Sequence, residues 1–382
     1  MRIAEVLGRT YGHSAAVWSA NLGTAPAVEL KEQPLLAGVF SPDGKHVLTA
    51  NILGEARVWS AETGEPTGVV VKHPLWNVAY RPDGQLFLTA GRDGLVKFWS
   101  ASTGEPLGQP LTHSAGVRAA VFSHDGKRVA TACFDKTARV WSVETRQQIG
   151  APLVHPKIVE DIDFSPDDAR LVTACSDGNA LVWSVASGQL ALPPLEHRSA
   201  VLGAVFSADG RRILTGSRDA TARLWDAATG RPIGPPMAHP DWVEEVDFSP
   251  DGTMILTGTD DGQVRLWSAS DGQLLGPPVL THGPIMDVRF SPDGQHILAS
   301  SQARAFWQPQ GPTFRGGKIW RIPEPFTGPL ATADHWIEAQ TGRTLDERGV
   351  LSWLDAKTWR ERRNEFEQPA EGVRVRTPTA LR

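Results

Sequence analysis

Apolar positions along the chain fall in short runs of strand length rather than in long helical stripes. "VRAAVF" (117–122) and "VEEVDF" (243–248) are typical first runs. "RVATAC" (128–133) and "MILTG" (254–258) are typical second runs, and "ARVW" (138–141) and "VRLW" (264–267) are third runs ending at a tryptophan. They are rich in Val, Ile, Thr, Phe and Trp, the residues that suit a pleated, half-buried surface. Between first and second runs sits a polar tetrapeptide: "SPDG" at 41–44, 249–252 and 291–294, "RPDG" at 81–84, "SHDG" at 123–126, "SPDD" at 165–168 and "SADG" at 207–210. Asp-Gly flanked by apolar runs is the strongest short-range hairpin signal. After the Trp, a "TG" turn leads into a weaker run such as "EPLGQPLT" (105–112). Each unit therefore predicts four short strands joined by tight turns.

The units keep a fixed period. Trp18, Trp59, Trp99, Trp141, Trp183, Trp225, Trp267 and Trp320 follow one another at spacings of 41, 40, 42, 42, 42, 42 and 53 residues. A four-stranded antiparallel unit of this size cannot bury both faces alone, but units stacked face to face around an axis can, which predicts an all-β propeller. Helical repeats are excluded by the β-branched and aromatic content of the runs.

Composition narrows the function classes. Hydrophobic residues make up 41% of the 382, the net charge is −5 and the pI about 6.1. No basic run is present to displace counterions, so no nucleic-acid partner is expected. No apolar stretch approaches a membrane span, and the N-terminus "MRIAEVLGRTYGHSAAVWS" has no signal-peptide pattern. Cys133 and Cys175 are the two cysteines, in the equivalent contexts "TACFD" and "TACSD". They read as small core side chains of a cytoplasmic protein rather than a redox or metal pair. No cofactor and no metal are expected, and a monomer is.

In five units the same four residue types recur in step: His73, Thr89, Asp93, Trp99; His113, Thr131, Asp135, Trp141; His155, Thr173, Asp177, Trp183; His197, Thr215, Asp219, Trp225; and His239, Thr257, Asp261, Trp267. A catalytic constellation is needed once, so five copies read as structure. "HRSAVLGAVFSADGRRILTGSRDATARLWD" (197–226) carries the whole pattern, including Trp-Asp, and resembles the WD40-repeat family over roughly residues 11–322. Most other units have Ser after the Trp. The resemblance implies that each set is a hydrogen-bonded tetrad across one blade, and that relatives include propellers attached to bacterial Ser/Thr kinase-type regulators. This chain shows no kinase signature.

Seven blades are preferred, with eight the other choice, because only the units ending at Trp59 through Trp320 have an inner strand. The Trp59 unit lacks the His and has Leu53 where Asp would sit, and the Trp320 unit also lacks the Asp, so both read as boundary blades. The expected organisation is a partial repeat at 1–33, a propeller at 34–331, a C-terminal α/β extension at 332–367 packed on the propeller with a hairpin through "DERG", and a disordered tail at 368–382.

No catalytic residues stand outside the repeat frame, so a non-catalytic scaffold is expected, with a ligand sensor or, less favoured, a propeller enzyme as alternatives. The resemblance implies a protein- or peptide-binding face carrying strand-start residues Trp76, Arg118, Glu160, Leu202, Glu244 and Met286. Two residues before Glu160 and Glu244 lie Ile158 and Trp242, and just before each turn Asp lie Arg92, Phe134, Ser176, Arg218 and Asp260. These differ from unit to unit while the frame does not. The late Trp320 marks an insertion, 302–317, containing Phe306 and Trp307. It is expected on the same face, either as part of a partner site or as a cap on the last blade.

Overall fold

The computed structural model describes residues 28–31, 35–276, 278–280, 283–301, 316–322, 343–345 and 351–353. Strands dominate: the first three runs of each blade are strands, while the weaker fourth run is seven residues long in blades 1, 3 and 5 and only two in blades 2, 4 and 6. Blade 1 is β2 (Leu35–Phe40), β3 (His46–Asn51), β4 (Glu55–Ser60) and β5 (Pro66–Lys72); blade 2 is β6 (Leu75–Tyr80), β7 (Leu86–Gly91), β8 (Leu95–Ser100) and β9 (Leu111–Thr112). Blade 3 is β10 (Val117–Phe122), β11 (Arg128–Cys133), β12 (Thr137–Ser142) and β13 (Gln148–Val154). Blade 4 is β14 (Val159–Phe164), β15 (Arg170–Cys175), β16 (Asn179–Ser184) and β17 (Leu195–Glu196). Blade 5 is β18 (Val201–Phe206), β19 (Arg212–Ser217), β20 (Thr221–Asp226) and β21 (Pro232–Ala238). Blade 6 is β22 (Val243–Phe248), β23 (Met254–Thr259), β24 (Gln263–Ser268) and β25 (Val279–Leu280).

Blade 7 is assembled from both ends of the ring. Its inner strands β26 (Ile285–Phe290), β27 (His296–Ser301) and β28 (Gly316–Arg321) are completed by β1 (Val28–Lys31), which pairs antiparallel with β28 from Val28↔Ile319 to Lys31↔Gly316. Residues 28–31 therefore belong to the ring, although their sequence falls in the stretch set apart as a partial repeat. Four residues without a turn motif carry no rhythm, so this pairing left no mark in the repeat. It covers the edge of β28, which would otherwise expose a row of unpaired backbone groups. The inner strands β2, β6, β10, β14, β18, β22 and β26 touch in sequence and β26 returns to β2, so seven blades close the circle.

The turns form because the tetrapeptide satisfies itself. In blade 1, Ser41 Oγ donates to Asp43 Oδ1 at 2.6 Å and accepts from His46 N at 2.9 Å, while Asp43 Oδ1 accepts from Lys45 N at 3.1 Å. Gly44 takes the left-handed φ of 71° that glycine adopts without cost. The Ser–Asp contact recurs at Ser123, Ser165, Ser207, Ser249 and Ser291. In "SPDD" Asp168 adopts φ 57°, and its carboxylate accepts from His124 N and Asp125 N of the preceding blade at 2.8 and 3.0 Å. A strained position there links two blades.

The core lies between blades. Ala132, Val140 and Leu153 of blade 3 pack with Ile162, Phe164, Leu171 and Trp183 of blade 4, and corresponding clusters fill the other boundaries described. Blade 1 lacks the turn Asp but keeps the turn. Asn51 Oδ1 accepts from Leu53 N and Glu55 N, both at 3.0 Å, doing from the end of β3 what the missing carboxylate does elsewhere. Asn51→Ala is expected to cost at least about 1 kcal/mol, since a buried amide is lost and two backbone donors of the turn lose their acceptor; urea denaturation measures it, and an unchanged midpoint would show the turn holds without them.

Gly23–Ile322 forms one compact unit, and Met1–Leu22 with Pro323–Arg382 forms another. In the second, Arg343–Leu345 (β29) and Leu351–Trp353 (β30) pair antiparallel, a hairpin with "DERG" in its connection. The helices and tail expected around it lie outside the described residues, as do residues 302–315 with Phe306 and Trp307. β27 ends at Ser301 and β28 begins at Gly316, so that insertion joins the second and third strands of blade 7.

Candidate functional site

Two sets of side chains recur around the ring, whose end at the starts of the inner strands and the turns between second and third strands is termed the top. The first is the repeated frame. Trp Nε1 donates to Thr Oγ1 in all five units at 2.8–3.1 Å, and Trp59 does the same to Thr49 in blade 1. His197 bonds Thr215 through Nε2 at 2.7 Å and Asp219 through Nδ1 at 3.0 Å. A carboxylate only accepts, so Nδ1 carries the proton, Nε2 accepts from the Thr hydroxyl, and that oxygen accepts from the indole. His73 makes the same chain with its ring nitrogens exchanged, to Thr89 at 2.7 Å and Asp93 at 3.1 Å. His155 and His239 keep the Thr bond but donate Nδ1–H to their own neighbours' carbonyls, Leu153 O and Met237 O, both at 2.9 Å. Asp177 and Asp261 are thereby left to cap their own turns, with Asn179 and Gln263 respectively. The structure thus brings four residues together in two blades and three in two others.

His113 departs further. Arg139 donates to its Nδ1 at 2.9 Å and to Asp135 Oδ2 at 2.8 Å, and its buried Nε2 has no hydrogen-bond partner among the described residues. Burial and the neighbouring Arg139 push the His113 pKa down to about 4. Ligand atoms of His113, Cys133 and Asp135 lie within 4.8 Å of one another. The trio has metal-binding chemistry, but a guanidinium already bonds two of its members, so a second cation does not fit. Cys133 and Cys175 are fully buried free thiols, pushed up to about 11 by burial. They sit where blade 5 has Ser217 and blade 6 Thr259, a small side chain under the turn.

The second set varies. Each inner strand breaks its register between its first and third residues, so the second residue is bulged out of the ladder. A bulge re-aims a side chain, and the bulged residues are Leu36, Trp76, Arg118, Glu160, Leu202, Glu244 and Met286. A backbone bond ties the residue before each turn Asp to the position two before the bulge: Arg92 N to Pro74 O, Phe134 N to Gly116 O, Ser176 N to Ile158 O, Arg218 N to Ala200 O and Asp260 N to Trp242 O. Trp76 and Phe134 meet with centroids 4.7 Å apart, and the Arg92 guanidinium stands 5.4 Å from the Trp76 ring. Gly116 leaves the room, since a Cβ there would lie 2.6 Å from Trp76 Cζ3. Opposite, Arg218 lies 4.7 Å from the Trp242 ring, which is 42% exposed. Arg118 pairs with Glu160 at 3.5 Å, and Ser176 Oγ donates to Glu160. Glu244 is pushed up to about 7 by burial, reinforced by Asp260. Leu202 is buried, whereas Met286 and Ile158 are half-buried.

Below the mouth lies a group that the repeat-based reading passed over. Asp161 Oδ2 accepts from Ala204 N at 3.0 Å, Asp163 Oδ2 from Phe206 N at 2.9 Å, Asp247 Oδ2 from Phe290 N at 2.8 Å and Asp287 Oδ2 from Gly38 N at 3.0 Å. Each bond runs from one inner strand to the next blade's. Arg289 binds Glu245 Oε1 at 3.0 Å and stands 3.4 Å from Asp287 Oδ1. Burial raises all five carboxylates, Asp163 to about 7 and Asp247 to about 6. The signal was present as charged residues inside apolar strands, "VEDIDF", "VEEVDF" and "IMDVRF". These carboxylates stand outside the repeated frame and were not among the residues singled out from the sequence. Its members bridge blades, which explains them without chemistry.

Seven four-stranded sheets in a closed ring, carrying Trp–Thr–His–Asp networks under a variable rim, define a β-propeller of repeated units. The sequence profile of the WD domain, G-beta repeat, matches residues 64–100, 104–142, 149–184, 193–226, 230–268 and 278–304, more than half of the chain. The protein belongs to the WD40 family. Among curated proteins no match was found.

Proposed function

We propose that the protein is a non-catalytic scaffold that docks a protein or peptide partner on the top face of the propeller, in bacterial signalling or complex assembly in the cytoplasm. The observation that carries this reading is the exposed Trp242 under Arg218, facing the Trp76–Phe134–Arg92 cluster across the mouth. Trp and Arg are the side chains most enriched at interface hot spots, and these have no partner in the repeat frame. WD40 propellers in general bind protein partners. Among the described residues no helix is long and apolar enough to cross a membrane. A second reading, ligand sensing, is favoured by Glu244, a carboxyl in the mouth that burial holds near the point of half-protonation at neutral pH.

Trp242→Ala is expected to weaken partner binding by about 2 kcal/mol, roughly 30-fold, with an unchanged melting temperature. The measurement is quantitative pulldown from native lysate with wild-type and variant protein side by side. Equal recovery of every specific partner by the two proteins would count against the docking role. A metabolite that stabilises the protein to heat and loses its effect in Glu244→Gln would favour the sensor.

A further inference from the structure

Blade boundaries on the opposite, bottom face are closed by arginines supplied from the first residue of a second strand. Arg170 donates to Ala227 O and, at 3.3 Å, to Gly210 O of the next blade, with its guanidinium 5.3 Å from the Phe206 ring. Arg212 repeats this with Ala269 O at 3.0 Å, Gly252 O at 2.7 Å and Phe248 at 5.4 Å. Arg128 stands 5.7 Å from Phe164 and turns instead toward Asp168, the residue in the turn's glycine position. Two carbonyls and an aromatic face thus form a seat for a planar cation, built by the repeat itself. Where the residue is apolar, Leu86 or Met254, it is buried.

At the boundary of blades 1 and 2 the seat is kept but the arginine is not. His46 is the first residue of β3, Tyr80 holds the place of Phe206 and Phe248, and Gly84 and Ala101 hold the places of the accepting carbonyls. Among the described residues no donor reaches Gly84 O or Ala101 O. A groove of about 640 Å³ opens there, lined by Asp43, His46, Tyr80, Asp83, Gly84 and Ala101 among others. Asp43 is held below the ordinary carboxylate range by the Ser41 hydroxyl, and Asp83 by Arg81, so both are ionised at neutral pH, the second already paired with its arginine. His296 recurs at the boundary of blades 7 and 1, where Asp293 and Asp43 are likewise lowered, but Phe40 stands there and Tyr80 belongs to the first boundary.

We propose that this groove is a guanidinium-binding site, taking the group from outside that Arg170 and Arg212 supply from within. The ring offers a cation–π face, and the two carbonyls match the fork of N–H donors that an arginine presents and an ammonium does not. The source is either an arginine side chain of a partner or a free guanidino compound; both present the same chemistry to the groove.

Calorimetric titration of the full chain with L-arginine and with Gly-Arg-Gly, against L-lysine and Gly-Lys-Gly, tests it. The arginine compound that fits is expected to bind at least about tenfold more tightly than its lysine counterpart. Comparable binding of the two arginine probes assigns the site to a side chain, and binding of L-arginine alone assigns it to a small metabolite. His46→Arg places the missing group in its own seat. It is expected to abolish at least about nine-tenths of the binding while raising the melting temperature, as a filled seat would. Tyr80→Leu, which removes the cation–π face but keeps the bulk, is expected to weaken binding severalfold and guards against a His46→Arg chain that fails to fold. Lysine binding as tightly as arginine, or His46→Arg protein binding arginine like the wild type, would overturn the proposal.

Discussion

Thr215→Val is expected to destabilise the propeller by about 3 kcal/mol, measured by urea denaturation at pH 7. The side chains are nearly the same size, so packing is kept and the hydroxyl alone is removed. That hydroxyl accepts from Trp225 Nε1 at 2.8 Å and donates to His197 Nε2 at 2.7 Å, at a fully buried position. The substitution leaves both partners buried without a bond, and each orphaned group costs about 1–3 kcal/mol. Burial already holds the His197 pKa below its ordinary value, so protonation does not offer a cheap way out at pH 7. Thr215→Ser keeps the hydroxyl and is expected to recover most of the loss. A valine variant as stable as the wild type would mean that the tetrad is decoration on a core held by packing alone.

The second large effect is expected at Arg289, the cation among the carboxylates of the inner strands. Arg289→Leu should cost about 2–4 kcal/mol at pH 8, somewhat below the roughly 3–5 typical of a broken buried pair because the side chain is a quarter exposed. Asp287 and Glu245 lose their direct partner, and Asp161 and Asp247 lose a nearby positive charge. Their folded-state pKa values, already raised by burial, move further up. A carboxyl whose pKa is higher in the folded than in the unfolded chain stabilises most below about pH 4, and that contribution is lost as pH rises through the folded value. The deficit of Arg289→Leu is therefore expected to grow from pH 5 to pH 8. An equal deficit at both would assign Arg289 a packing role only.

In the wild-type protein this slope is opposed below about pH 6.5. Its histidines pull the other way: His113 and His239, held down to about 4 by burial and a nearby arginine, contribute stability that is complete above about 6.5 and lost as pH falls through 4. Asp163, Glu244 and Asp247, raised to about 7, 7 and 6, lose theirs over the same interval in the opposite direction.

The ring and its blades were legible because a period repeated many times leaves a signal that no single strand could. The Trp–Thr contact was legible for the same reason. What the repeat could not carry was anything that differs between copies. Nothing near His113 in the chain says that Arg139 will take its ring from Thr131, because the competitor comes from the third strand. The carboxylates of "VEDIDF" and "VEEVDF" looked like ordinary alternation until the neighbouring blade's backbone N–H groups were set beside them. The closing strand at 28–31 was hidden because its partner lies almost 300 residues away, beyond the reach of any local pattern.

That last pairing makes ring closure depend on both ends of the propeller. Val28 pairs with Ile319 across the whole length of the ring, and contacts of such sequence separation carry a large loop-closure cost. A polypeptide that ends before β28 leaves β27 with an uncovered edge and β1 with nothing to pair, and both are templates for association with other chains. Incomplete products are thereby marked by the same backbone groups that, in the finished ring, hold its two ends together.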